Sequence, residues 1–199
     1  MEGTGGADQR EAGLPPGQRA ATHWRASHYG KIPVVDGDRW SLTFCGATSE
    51  PGLLVVDLAM IESMPHVELT AGLHCVDRHS VPAIRWGGVR MRDLVDLAPP
   101  EDGARHVLLA ARRGYASAVL LEDLLHPDAL LATHADGAPL RPEHGWPARV
   151  VLPHLYGFKG PKWVAEVSYH HSPQQGYWEQ RGYHARGRVE LEERWAHQE

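Results

Sequence analysis

His144-Gly145-Trp146-Pro147-Ala148-Arg149-Val150-Val151-Leu152-Pro153-His154-Leu155-Tyr156-Gly157-Phe158-Lys159-Gly160-Pro161-Lys162-Trp163 is the stretch on which the fold turns. The apolar run Val150 to Leu152 reads as one strand and Trp163 to Tyr169 as the next, joined by a loop in which glycines and cations alternate. Gly157 and Gly160 let the backbone aim N–H groups at an oxyanion, and Arg149 and Lys162 can add charge-assisted bonds. Arg141, Arg149, Lys159 and Lys162 gather here against Glu143 alone, although the whole chain carries a net charge of -5. Neither GxGxxG nor GxxxxGK[ST] occurs, so a nucleotide fingerprint is absent. Upstream, Leu73-His74-Cys75-Val76 delivers a cysteine at or just past the end of an extended segment, Val67 to Cys75. A thiolate suits a soft metal, and thiol and anion loop together point to a phosphate-bearing metal cofactor. Taken singly, the thiol also reads as a buried small hydrophobe and the loop as a solvated turn.

The rest of the chain reads as short elements. Trp40, Leu42 and Phe44 alternate in a half-buried strand ending at Gly46, with Cys45 on the opposite face as packing. Leu53 to Val56 reads as a strand, and Asp57 caps a short helix through Met64. Arg92 to Leu97 is a helix stopped by Pro99-Pro100. His106 to Ala111 is a strand, and a segment beginning near Ser117 becomes helical through Leu125. Short strands alternating with single-turn helices predict an α+β fold with mixed β-sheets, in a single domain. Residues 1 to 21 lack an apolar period and are expected to be a disordered N-terminal tail, with the domain over 22 to 186 and a C-terminal tail over 187 to 199.

Composition narrows the function. With 199 residues the chain can bury a substantial core. The net charge gives no reason to expect nucleic acid as a partner, and no stretch approaches the roughly 20 apolar residues that membrane insertion needs. The start has neither a basic nor an apolar export region, and Arg112-Arg113 lies too deep to serve as one, so the cytoplasm is the expected compartment. Cys45 and Cys75 are the two cysteines, too few for a disulfide scaffold, and both are expected to stay thiols. With no CxxC, and with His74-Cys75 and His170-His171 lacking zinc-ligand spacing, a site built on Cys75 needs ligands from outside the polypeptide. The cluster Trp24 to Gly30 can clamp a polar group. In Gly176 to His184, Trp178 reads as structural and Tyr183 as within reach of a site.

These motifs resemble the molybdopterin domain of the sulfite oxidase family, and more narrowly its short bacterial stand-alone members. The resemblance covers about residues 22 to 186. It rests on Trp24-Arg25-x-x-His28-Tyr29-Gly30, Thr70-x-x-x-His74-Cys75-Val76, Trp86-Gly87-Gly88-Val89, the loop from His144 to Trp163, and Trp178-x-Gln180-Arg181-x-Tyr183. It implies a sulfite-oxidase-type fold and a molybdenum-molybdopterin cofactor, with the metal held by two dithiolene sulfurs and the Cys75 thiolate. By the same resemblance His28, Tyr29, His144, Arg149, Gly160, Pro161 and Lys162 hold the pterin and its phosphate, and Arg25 and Tyr183 line the substrate pocket. Animal members place an arginine a few residues beyond the ligand cysteine; here Arg78, His79 and Ser80 stand near that place. Periplasmic members use a polar residue near what is here Ala110-Ala111.

The implied activity is two-electron oxygen-atom transfer on a small anionic or sulfur/nitrogen-oxide substrate, with sulfite not expected. Cys75 would anchor the metal, and Arg25, Arg78, His79 and Tyr183 would orient the substrate. Electrons would come from a separate electron-transfer protein. Two alternatives stay open: a molybdopterin-binding or partner-docking protein without efficient catalysis, and a thiol or non-haem metal redox protein using Cys75 and nearby histidines.

Overall fold

A computed structural model describes residues 13–49 and 53–198. Its strands are β1 (Arg19–Ala20), β2 (Ser41–Gly46), β3 (Leu54–Asp57), β4 (Val67–His74), β5 (His79–Arg90), β6 (His106–Ala111), β7 (Ala116–Leu120), β8 (Leu130–Ala135), β9 (Ala138–Pro139), β10 (Arg149–Val151) and β11 (Val164–His170). The α-helices are α1 (Leu58–Ser63), α2 (Met91–Leu97) and α3 (Leu121–Leu124), each under two full turns. Asp57 caps α1 as expected, its carboxylate accepting the Met60 N–H at 2.8 Å.

Among the described residues the strands form two mixed sheets. One runs β3-β2-β11-β6-β7, with β2 parallel to β11 and the other pairs antiparallel. The other runs β1-β5-β8-β10, with β4 also on β5 and β9 on β8. Alternation places the core: Leu42 and Phe44 of β2, Val107 and Leu109 of β6, and Val167 of β11 bury one face of the first sheet. Val89, Leu131 and Val150 of the second sheet meet them in the same cluster, while Ile84, Trp86, Leu130, Ala132 and Val151 fill a second cluster on that sheet's far face. β8 and β10 are thus covered on both sides, which explains their near-continuous apolar runs, whereas β4 and β5 keep an exposed face. The α+β, mixed-sheet expectation holds.

Several elements differ from the sequence reading. Ser117 is buried in β7 opposite Leu109, and the helix begins only at Leu121, because pairing with β6 satisfies that backbone. β5, the longest strand, carries Pro82 and Gly87-Gly88, residues that weaken a strand signal. Gly88 is required there: a Cβ would lie 2.1 Å from the Leu131 carbonyl oxygen.

Both expected tails hold packed residues. Residues 1–12 lie outside the described residues, but Arg19–Ala20 pairs with β5 and Gln18 is 4% exposed. At the other end Val189, Glu193 and Arg194 are buried. Gln18 Nε2 donates to the Cys75 carbonyl at 3.2 Å, and Arg194 donates to that of Val76 at 3.3 Å. Polar side chains, which carry no apolar period, tie both segments to the turn that presents the cysteine.

Candidate active site

β4 ends at His74 and the chain turns through Cys75–Arg78, closed by the Arg78 N–H on the Cys75 carbonyl at 3.1 Å and the Cys75 N–H on that of His79 at 2.8 Å. Arg78 sits at φ 75, a left-handed conformation that lets the strand reverse. The thiol faces a cavity of about 690 Å³. Burial pushes the thiol up to about 11 and the Asp77 carboxylate adds to this, while the Asp77 and Val76 N–H groups pull the other way. At neutral pH Cys75 is therefore a protonated thiol, unsuited to free thiol chemistry, and a bound cation would displace that proton.

Four segments supply the other walls. Residues 20–31 cross the cavity with Trp24, Arg25, His28 and Tyr29; the β6–β7 turn brings Arg112, Arg113 and Tyr115; the loop after β10 brings Gly157, Phe158 and Gly160 to Trp163; and Trp178 and Tyr183 close the last side. Trp178 and Tyr183 stack at 4.8 Å, and burial, with Cys75 and Asp77 after it, raises the Tyr183 hydroxyl pKa; Tyr183 and Cys75 line the same cavity.

Two of the loop cations sit on a backbone bridge. Arg149 and Lys162 are antiparallel partners, so their side chains leave the same face. Arg149 is 2% exposed and donates to the carbonyls of His144 and Gly160, each at 3.3 Å, leaving its buried Nε without a partner. Lys162 Nζ donates at 2.8 Å to the Ser27 and Glu143 carbonyls. Neither cation has a carboxylate partner among the described residues. Burial draws Arg149 down to about 10, and burial together with Arg149 draws Lys162 down to about 7.

Of the residues read from sequence, the cavity brings together Cys75, Arg25, His79, Tyr183, His28, Tyr29, Arg149, Gly160, Pro161 and Lys162. Two stand elsewhere. Arg78 turns out to Glu192, 3.7 Å away, because the left-handed turn directs it off the cavity. His144 is buried beneath Trp24, stacked at 3.7 Å and 6°, so it supports the wall without lining it. The loop cations divide as well. Lys159 is fully buried, pairing with Glu179 at 2.6 Å, and Arg141 pairs with Glu143 at 2.9 Å outside the cavity. Arg112, Arg113 and Asp77 were missed; an arginine pair before Gly114 between two strand patterns was the available signal.

The model for the oxidoreductase molybdopterin binding domain matches residues 29–178. The chain belongs to that family. It is a molybdopterin-dependent oxidoreductase, and its cofactor is the molybdenum-molybdopterin group. It is 35% identical over 175 residues to an uncharacterized oxidoreductase, YuiH, of Bacillus subtilis, covering 87% of each chain. It is 28% identical over 192 residues to the sulfite oxidase of Arabidopsis thaliana, covering 78% of this chain and 48% of that one. The sulfane dehydrogenase SoxCD of Paracoccus pantotrophus shares the fold, with a TM-score of 0.68 at 20% identity over 73% of this chain and 42% of that one.

The cavity fits such a cofactor on its own chemistry. A buried guanidinium whose Nε has no partner and a lysine bonded only to carbonyls line the same space as a single soft donor. Among the described residues no three His, Cys, Asp or Glu side chains converge on a metal position, which fits a metal that brings its other donors with it. Cys75 would take the metal, and Arg149, Lys162 and His28 the phosphate.

Lys162 also predicts a pH effect on the cofactor-free protein. An unfolded lysine keeps its proton to about 10.4, whereas the folded one loses it near 7. Between those values the unfolded chain binds more protons, so stability rises with pH. Thermal unfolding is expected to shift upward from pH 7 to about pH 8.5, above which the raised Cys75 thiol opposes the effect, and Lys162→Met to lose most of that slope. An unchanged slope in the variant would contradict the assignment.

Proposed function

We propose that the protein catalyses two-electron oxygen-atom transfer on a small sulfur- or nitrogen-oxide substrate, drawing electrons from a separate electron-transfer protein. The observation that carries this reading is Cys75 inside a walled cavity whose lining also holds Tyr183 and the cations Arg149 and Lys162, which bond to carbonyls and not to carboxylates. When bound, the cofactor supplies the two-electron redox change. The chain's own groups hold and orient. Tyr183 can donate its hydroxyl proton to the oxygen being transferred, and the Arg25 guanidinium can offset charge that develops on it. Trp178, stacked on Tyr183, fixes the ring and excludes water from that wall.

Sulfite is a poor fit. Arg78, which stands near the place where animal members carry an arginine, turns out to Glu192 and does not line the cavity. A reduced-dye assay of the molybdenum-loaded protein against sulfoxides, N-oxides and nitrate, with sulfite followed in the oxidising direction, tests the reading. Turnover of a sulfoxide or N-oxide is expected. Failure on every substrate with molybdenum and pterin present would leave a cofactor-binding protein without efficient catalysis. Arg78→Ala is expected to stay within about twofold of wild type in kcat/KM, since an exposed pair contributes little. Tyr183→Phe is expected to lose about 100-fold in kcat, the scale for removing one donor to developing charge. Equal effects from the two substitutions would reject this division of roles.

A further inference from the structure

The cavity carries more positive charge than one phosphate requires. Its lining includes Arg25, Lys31, Arg112, Arg113, Arg149 and Lys162, against the single carboxylate of Asp77. None of these cations makes a salt bridge among the described residues; the paired lysines and arginines, such as Arg141, Lys159 and Arg188, lie outside the lining, and within it only His79 stands against Asp77, at 3.3 Å. In a chain of net charge -5 this concentration is local and unneutralised.

Arg112 and Arg113 are adjacent in this lining and, like Lys31, have no role so far. They form the turn between β6 and β7, where the Arg112 N–H donates to the Trp163 carbonyl at 3.0 Å. That bond pins the turn one residue from Lys162. The Arg112 Nε is buried with no partner, and Arg113, at φ 69 and ψ 26, is held in a left-handed conformation on the exposed rim. A buried, unsatisfied guanidinium N–H beside a second arginine is an arrangement that an oxyanion completes with charge-assisted bonds.

We propose that Arg112 and Arg113 form a second oxyanion subsite adjoining the Arg149–Lys162 anchor, which takes a phosphate-, sulfonate- or carboxylate-type group. That group comes either from an anionic arm of the substrate or from a nucleotide extending the cofactor. The inference rests on the pterin phosphate occupying Arg149 and Lys162.

The test uses the molybdenum-loaded protein, the Arg112→Gln/Arg113→Gln double variant, and the charge-preserving Arg112→Lys/Arg113→Lys variant. Cofactor is released from each and its molybdenum, pterin and nucleotide content measured, and inorganic phosphate is titrated into each by calorimetry. A nucleotide-free pterin with phosphate binding that weakens at least tenfold in the glutamine variant, at unchanged molybdenum and pterin content, assigns the subsite to substrate. A nucleotide present in wild type and lost from the glutamine variant assigns it to the cofactor. The lysine variant should retain most of either property. Two results overturn the proposal: a nucleotide-free wild type that binds no phosphate, or loss of pterin itself from the glutamine variant, which would place both arginines in the primary anchor. Wild type loaded with neither molybdenum nor pterin would instead remove the underlying assignment of Arg149 and Lys162.

Discussion

Cys75→Ser is expected to abolish molybdenum-dependent turnover, by at least about 100-fold, while leaving the fold intact. Loss of an outer-shell partner of a metal site already costs up to about 100-fold, so loss of a direct ligand should cost no less. A serine hydroxyl is a hard donor that keeps its proton, and it cannot replace a thiolate on a soft metal. The fold should survive because the turn is held by backbone groups. The Cys75 N–H, its carbonyl and that of Val76 bond to His79, Gln18 and Arg194, and none of these bonds involves the sulfur. The change in stability should therefore stay within about 1 kcal/mol.

Cys45→Ser provides the internal control. Cys45 lies on the outward face of β2, where burial and Glu166 raise its thiol, and it does not line the cavity. Turnover should be unchanged by that substitution. Metal and pterin analysis of both variants beside thermal unfolding completes the comparison: molybdenum should fall in the Cys75 variant alone. Retained turnover with bound molybdenum in Cys75→Ser would refute the ligand assignment.

What the sequence showed and what it hid follow one physical division. Strands with strict alternation, such as Ser41–Gly46 and His106–Ala111, were readable because one face meets the core and the other does not. β8 was not, since a strand covered on both faces loses its alternation, and β5 was hidden by Pro82 and by the glycines it needs where β8 approaches closely. Most of the site was legible through the order of short motifs. Arg78, His144 and Lys159 show where that reading stops: nearness in sequence to Cys75 or to the anion loop does not fix side-chain direction. A left-handed turn sends Arg78 to Glu192, a stacked indole covers His144, and a buried carboxylate claims Lys159. Each partner is distant in sequence from the residue it redirects, and one sequence gives no sign of such pairings.

Lys159→Met should produce the largest loss of stability outside the apolar core, about 3–5 kcal/mol. The Lys159 side chain is fully buried, and its Nζ donates to Glu179 at 2.6 Å, to the Ala118 carbonyl at 2.8 Å and to the Ala185 carbonyl. Burial draws the lysine below its ordinary value and Glu179 draws it back, the balance expected of a desolvated pair. The knot joins three parts of the structure: β7 through Ala118, the cavity loop through Lys159 itself, and the C-terminal segment through Glu179 and Ala185. Glu179 Oε1 also accepts the Ala118 N–H at 3.1 Å, while Oε2 has no partner. Removing the lysine would leave that carboxylate buried and uncompensated, which is why the cost exceeds the net worth of the pair. Replacing both partners removes the stranded charge, so Lys159→Met/Glu179→Leu should recover most of the loss in denaturant unfolding. The same loop and segment carry Gly157, Phe158, Trp178 and Tyr183 to the cavity wall, so the single variant should also lose pterin on dilution and the double variant less. Single and double variants of equal stability would show that Lys159 acts through packing of its stem alone, and a single-variant cost below about 1 kcal/mol would show that water reaches the pair.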